Sequence, residues 1–100
     1  MSKLLPDNVR IGAYDVKVFY TEHLLRDHGC VGRYTPCEKQ IEVDSEMCED
    51  MQWGTFYHEL IEAMTEIYAI DALANDHGAI NVLSEVLHHV MRENKEVILP

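Results

Sequence analysis

Apolar and polar positions alternate in the first part of the chain. Residues 9–20, "VRIGAYDVKVFY", predict two short strands, Val9–Ile11 and Tyr14–Tyr20, joined by a tight turn at Gly12-Ala13. A period of two places every second side chain on the same face, as expected for a strand with one buried side. This segment therefore predicts a β-hairpin.

A second hairpin is predicted between residues 30 and 44. The segment "CVGRYT" leads into a turn at Pro36–Lys39, and "QIEVD" follows with Ile41 and Val43 on one face. Residues 21–27 predict a short helical turn between the two hairpins. We expect a small N-terminal antiparallel sheet built from these hairpins, spanning about residues 9–44.

The spacing changes to a helical period in the second half. One helix is predicted over residues 49–70 and a second over residues 77–94, separated by a connector. The apolar stripe of the first contains Trp53, Phe56, Tyr57, Leu60, Met64 and Ile67. The stripe of the second contains Ile80, Leu83, Leu87, Val90 and Met91. Strands followed by helices indicate an α+β fold, and the length allows a single domain over residues 1–100.

Composition and charge narrow the class of protein. A formal net charge of −10 argues against nucleic acid as a partner, because a phosphate backbone is bound by clustered Lys and Arg. No apolar run is long enough to predict a membrane span. The three cysteines include no CxxC pair, which favours a reducing cytoplasm over a disulfide framework.

The candidate chemistry lies in the first helix, at His58-Glu59-Leu60-Ile61-Glu62. Residues four apart share a helix face, so His58 and Glu62 can address one point, with Glu59 beside them. Imidazole and carboxylate are ordinary zinc ligands, and a catalytic site needs a third protein ligand. The candidates for it are His77, Glu85, His88, His89, His23 and His28. The alternative interpretation is a charged, solvated helix flank.

The order of elements and four segments resemble small phage- and prophage-type gluzincin-like zinc metallopeptidases. The segments are "VRIGAYDVKV", "VGRYTPCEKQIEVD", "TFYHELIEAM" and the HxxIxxL pattern at His77, Ile80 and Leu83. The resemblance covers about residues 9–94. In that family the helix carries HExxH, and an acidic third ligand begins the next helix.

The resemblance implies one zinc ion bound by His58, Glu62 and His77, with Glu59 as the general base for zinc-activated water in peptide hydrolysis. Glu62 stands where the family has its second histidine, and His77 where it has the acidic ligand. Two imidazoles and one carboxylate are thus retained. The resemblance also implies that an extended peptide substrate pairs with an edge strand, here Gln40–Asp44.

Geometry leaves the third ligand open. In a tight antiparallel helical hairpin, Glu85 or His88 would lie level with His58. His77 fits if the helices cross at an angle or if the first helix ends near Ile67. The sequence leaves the substrate and the oligomeric state undetermined.

A different class of function is also compatible with the sequence. The chain would then be a zinc-binding or metal-free interaction module without catalysis, which inhibits or regulates a host factor. An acidic surface suits competition for a basic site. If the protein is phage encoded, the host cytoplasm is its expected location.

Overall fold

The computed structural model describes residues 4–93 and places an N-terminal sheet before the helices, as the α+β prediction requires. The elements follow in the order β1 (Asn8–Ile11), β2 (Tyr14–Thr21), α1 (Leu24–His28), β3 (Gly32–Thr35), β4 (Gln40–Asp44), α2 (Glu49–Ile67), α3 (Asp71–Ala74) and α4 (His77–Glu93). Both predicted hairpins and both long helices are confirmed.

The sheet is mixed rather than wholly antiparallel. Its strand order is β1-β2-β4-β3, and the two hairpins are antiparallel. They meet through a parallel pairing of β2 with β4, which runs from Lys17 opposite Gln40 to Thr21 opposite Asp44. This arrangement arises because α1 and β3 form the crossover between β2 and β4. After β3, the Pro36–Lys39 turn reverses the chain, and β4 lies between β2 and β3.

The prediction that Gln40–Asp44 is an edge strand is therefore wrong. This strand, β4, is hydrogen-bonded to β2 on one side and to β3 on the other. Its apolar side chains Ile41 and Val43 are fully buried, which explains the central position physically. Within the described sheet, β1 and β3 are the edge strands.

Helix α2 packs between the sheet and α4 and forms the centre of the core. Phe56, Tyr57 and Ala63 join Val16 and Val43 in one apolar cluster. Gly54 does not interrupt the helix, because α2 continues through it. A Cβ atom at Gly54 would lie 3.2 Å from His88 Nδ1, so the missing side chain gives α4 room to approach.

Helix α2 ends at Ile67, three residues before the predicted boundary. Ala69 adopts a positive φ of 52°, and the Ile70 amide donates to the Thr65 carbonyl over 2.9 Å. The Ala69 amide donates to Glu66, which completes a Schellman motif with alanine at the position that glycine usually takes. The segment predicted as a connector then forms the short helix α3.

Helix α4 covers residues 77–93 of the predicted 77–94, and residue 94 lies outside the described residues. Asp76 precedes it and accepts a hydrogen bond from the Ala79 amide through its side chain, over 3.0 Å. Among the helices of residues 4–93, none combines the length and the apolar character needed to cross a bilayer.

Candidate metal centre

The middle of α2 gathers three candidate ligands. Metal-binding atoms of His58, Glu59 and Glu62 all lie within 4.8 Å of one another. His58 and Glu62 are partly exposed, whereas Glu59 is only 6% exposed. The predicted cluster is therefore formed, with one carboxyl group inside the protein and two groups at its surface.

His77 reaches the same cluster from the first residue of α4. Its Nδ1 atom lies 3.7 Å from Glu62 Oε1, and His58 Nε2 lies 3.6 Å from that same oxygen. Zinc bonds of about 2.0–2.2 Å in a tetrahedron separate donor atoms by about 3.3–3.6 Å. The spacing of Glu62 from each imidazole is close to this range, but His77 lies outside the group whose ligand atoms are all within 4.8 Å of one another, so it would have to move towards His58 to share an ion. His77 is 74% exposed and joins the cluster through Glu62.

The position of His77 follows from the two helix ends. The Schellman motif stops α2 one turn beyond Glu62, α3 carries the chain across, and Asp76 starts α4 beside that turn. The sequence allows His77 as the third ligand if the first helix ends near Ile67, and the structure meets this condition. The structure thus brings His58, Glu59 and Glu62 together and places His77 next to Glu62, outside the group that these three form.

The other candidates for the third ligand lie elsewhere among the described residues. Glu85 is exposed on α4, and His28 is exposed at the end of α1. His88 Nε2 is 3.3 Å from Asp50 Oδ1, and His23 Nδ1 is 2.8 Å from Glu46 Oε1. His89 Nδ1 faces Arg92 at 3.2 Å.

Burial and a neighbouring carboxylate change the acidity of Glu59. Removal from water raises its pKa to about 8, and the hydrogen bond and negative charge of Glu62 act in the same direction. The Tyr34 backbone amide donates to the Glu59 carboxyl group and opposes this shift. The Glu59 carboxyl group therefore holds a proton at neutral pH, and a bound cation would replace that proton.

Strand β3 can approach Glu59 this closely because it contains Gly32. A Cβ atom there would collide with the Thr55 methyl group and would lie 3.3 Å from Glu59 Cγ. The close contact brings the outward-facing amide of Tyr34 to the carboxyl group of Glu59. Sequence reasoning missed both roles, although a glycine inside a strand is a recognised signal of close backbone approach.

The Tyr34 side chain does not enter the site. Its hydroxyl donates to Glu66 Oε1 over 2.6 Å, and Lys39 Nζ binds the same oxygen over 3.0 Å. Burial and the Glu66 carboxylate raise the pKa of Tyr34 above its ordinary range. The contribution of Tyr34 to the site is therefore its backbone amide.

An open cleft of about 520 Å³ borders the cluster. His58 and Glu59 line it together with the loop before β3 and the buried Ser84 of α4. The remaining lining residues are small or apolar: Leu25, Gly29, Cys30, Val31, Gly32, Gly54 and Thr55. An extended chain of small cross-section can therefore reach the two polar groups.

No protein-family model, no curated protein sequence and no solved structure matches this chain.

Proposed function

We propose that the protein is a zinc-dependent peptide hydrolase in which His58, Glu62 and His77 bind the metal and Glu59 is the general base. One observation carries this proposal. Imidazole nitrogens from two different helices lie 3.6 and 3.7 Å from a single oxygen of Glu62, next to a buried carboxyl group. His58 and Glu59 also line the cleft, whereas the charged groups of a solvated helix flank would face open solvent.

Bound zinc would supply a Lewis acid for the peptide carbonyl and would lower the pKa of a water molecule. Glu59 takes the proton of the attacking water and transfers it to the leaving amine. Its burial and the Tyr34 amide hold the carboxyl group in one orientation. The shielding of Glu59 from solvent also strengthens its attraction for that proton.

Strand β3 replaces Gln40–Asp44 as the proposed docking strand for substrate. It has one edge without a partner strand among the described residues. The Tyr34 amide on that edge donates to Glu59, so the backbone of Gly32, which lines the cleft, would be the docking point for a peptide. An extended peptide pairs with such an edge through backbone hydrogen bonds. The small lining residues admit a peptide backbone close to His58 and Glu59.

Metal content tests the first half of the proposal. Native protein purified without chelator is expected to contain about one zinc ion per chain by elemental mass spectrometry, because α2 holds His58 close to Glu62 and α4 begins with His77 next to Glu62. A zinc content far below one ion per chain in such a preparation would exclude a zinc-dependent peptide hydrolase.

The Glu59→Gln variant tests the second half. We expect it to keep zinc and fold, and to lose cleavage of a peptide library by at least about 100-fold, since the amide cannot accept the proton. Glu85→Gln is the matched control because Glu85 is an exposed glutamate outside the cluster. Cleavage that survives in Glu59→Gln would take Glu59 out of the role of base.

A zinc-binding module without catalysis is the second candidate function. It is favoured by the hydrogen bonds that already occupy the Glu59 carboxyl group, from Tyr34 and Glu62. The net charge of −10 suits a basic partner surface. Stoichiometric zinc without cleavage of any peptide in the library would select this function. The phage origin and the cytoplasmic location stay predictions.

A further inference from the structure

Helix α4 carries an exposed apolar stripe in addition to its buried face. The stripe consists of Val82, Leu83, Val86 and Val90, which are 61%, 44%, 53% and 41% exposed. Intervals of three and four residues place these side chains along one side of the helix. The sequence predicted that Leu83 and Val90 belong to the core, and that prediction is wrong.

We propose that this stripe is the contact surface of a symmetric dimer, in which α4 packs antiparallel against α4 of a second copy of the chain. The proposal is independent of the zinc site. The spacing of the valines supports a two-fold axis beside Val86. Such an axis sets Val82 of one copy against Val90 of the other and places the two Val86 side chains together.

The polar margin of the stripe is complementary to itself. An Arg92 guanidinium nitrogen lies 3.2 Å from His89 Nδ1, and a guanidinium can only donate, so Nδ1 accepts and the ring proton resides on Nε2. His89 thus offers an N–H group, and the exposed Glu85 offers a carboxylate one turn away. In an antiparallel pair the same margin of each helix meets, which brings Glu85 opposite His89 of the second copy.

The available area is also of the right order. The four side chains expose roughly 300 Å² per copy, which approaches the largest apolar patch on many monomers. The two stripes therefore contribute about 600 Å², and the exposed margins at Gly78, Glu85, His89 and Glu93 would bring the total near the lower limit of about 1,200 Å² for a specific interface. An area at this lower limit is typical of weak or transient association.

Sedimentation velocity over a concentration series tests the dimer. We expect the wild-type chain to sediment as a concentration-dependent dimer, and Val86→Asp to weaken the association by at least about 100-fold because it buries two carboxylates together. Met51→Asp is the matched control, since Met51 is 55% exposed on α2 and lies outside the stripe. Circular dichroism checks that both variants keep their helices. A dimer that Val86→Asp leaves intact would refute the proposed surface.

A charge exchange tests the antiparallel arrangement without adding a charge to the apolar stripe. We expect Glu85→Lys alone and His89→Glu alone each to weaken the dimer by about tenfold, because the first places two hydrogen-bond donors opposite one another and the second places two carboxylates opposite one another. The double variant is expected to restore most of the affinity. Absence of restoration would exclude the antiparallel contact.

The same sedimentation series distinguishes a second copy of the chain from other groups that could cover the stripe. A wild-type chain that stays monomeric at every concentration would overturn the proposal. Dimerisation that appears only after removal of residues 94–100 would also overturn it, since it would assign the stripe to the chain's own C-terminal segment.

Discussion

Helices α2 and α4 both contribute a histidine to the candidate metal centre, but they do so in different environments. Helix α2 lies between the sheet and α4, and it carries Glu59 into the interior. Helix α4 buries one side through Ile80 and Ser84 and leaves the opposite side exposed. The comparison teaches that α2 fixes its candidate groups through burial, whereas α4 presents a candidate ligand, His77, through the position of its first residue.

Truncation of core residues should give the largest effects. Phe56→Ala in α2 is expected to lower the free energy of unfolding by about 3–5 kcal/mol, and Ile80→Ala in α4 by about 2–5 kcal/mol, because both side chains are buried. Val82→Ala should change it by less than about 0.5 kcal/mol in urea titrations of the monomer. An equal loss for Val82 and Ile80 would contradict the one-sided packing of α4.

Removal of the histidines should distinguish the two helices at the metal. His58→Ala is expected to weaken zinc binding by about 1,000-fold, whereas His77→Ala should weaken it by about 10- to 100-fold because His77 is largely exposed and less fixed. Competition with a chromogenic chelator measures both affinities. Glu85→Ala is the control and should leave zinc in place. A loss of zinc in Glu85→Ala together with retention in His77→Ala would reverse the assignment of the third ligand.

The buried carboxyl group of α2 should make the metal-free protein sensitive to pH. Glu59 has a pKa raised from 4.5 to about 8 in the folded state, so the folded chain holds a proton that the unfolded chain releases in this range. The contribution of Glu59 to the free energy of unfolding should be greatest below pH 4.5 and should fall as the pH rises towards 8. Glu59→Gln should remove this dependence and raise the melting temperature of chelator-treated protein by several degrees, about 3–8, at pH 8.

The same measurement at pH 5 is the internal control for Glu59. There the folded-state carboxyl group is neutral and the unfolded chain has released only part of its proton, so the two proteins should differ much less in melting temperature than at pH 8. A gain in Glu59→Gln that is as large at pH 5 as at pH 8 would show that the gain does not come from ionisation.

The ionic contact between the other ends of the two helices should matter least. Asp50 of α2 binds Arg92 over 2.9 Å and His88 over 3.3 Å, and its side chain is exposed. Asp50→Asn is expected to cost less than about 1 kcal/mol, and added salt should remove most of that difference. A larger, salt-independent loss would show that this contact, rather than apolar packing, holds α4 on α2.

Local patterns were sufficient to predict the hairpins and the long helices, but not the way they meet. The alternation at Ile41 and Val43 shows which face of β4 packs on the apolar core and contains no information on its neighbouring strands. The parallel pairing of β2 with β4 was missed for that reason. Likewise, periodicity assigned Leu83 and Val90 to the core, because it cannot show how wide a face of α4 the rest of the chain covers.

The part of the candidate site that lies within one helix could be predicted from the sequence. His58, Glu59 and Glu62 follow from spacing within one helix, whereas the approach of His77 depends on where α2 stops. Ala69 sets that end by adopting a left-handed conformation. Glycine is the usual sequence signal for such an end, and it is absent from this position. The contact of Tyr34 with Glu59 involves a backbone amide, which no side-chain motif can reveal.

The hydrogen bond from the Tyr34 amide to Glu59 couples a strand edge to the carboxyl group at the centre of the site. The amide proton of a single residue thus becomes a spectroscopic reporter. The chemical shift of this amide proton should follow the ionisation of Glu59. Its exchange with deuterium should be slower when the hydrogen bond to Glu59 is stronger, and faster when that bond is weaker. The protein therefore contains a native probe, without any label, for the state of its proposed base.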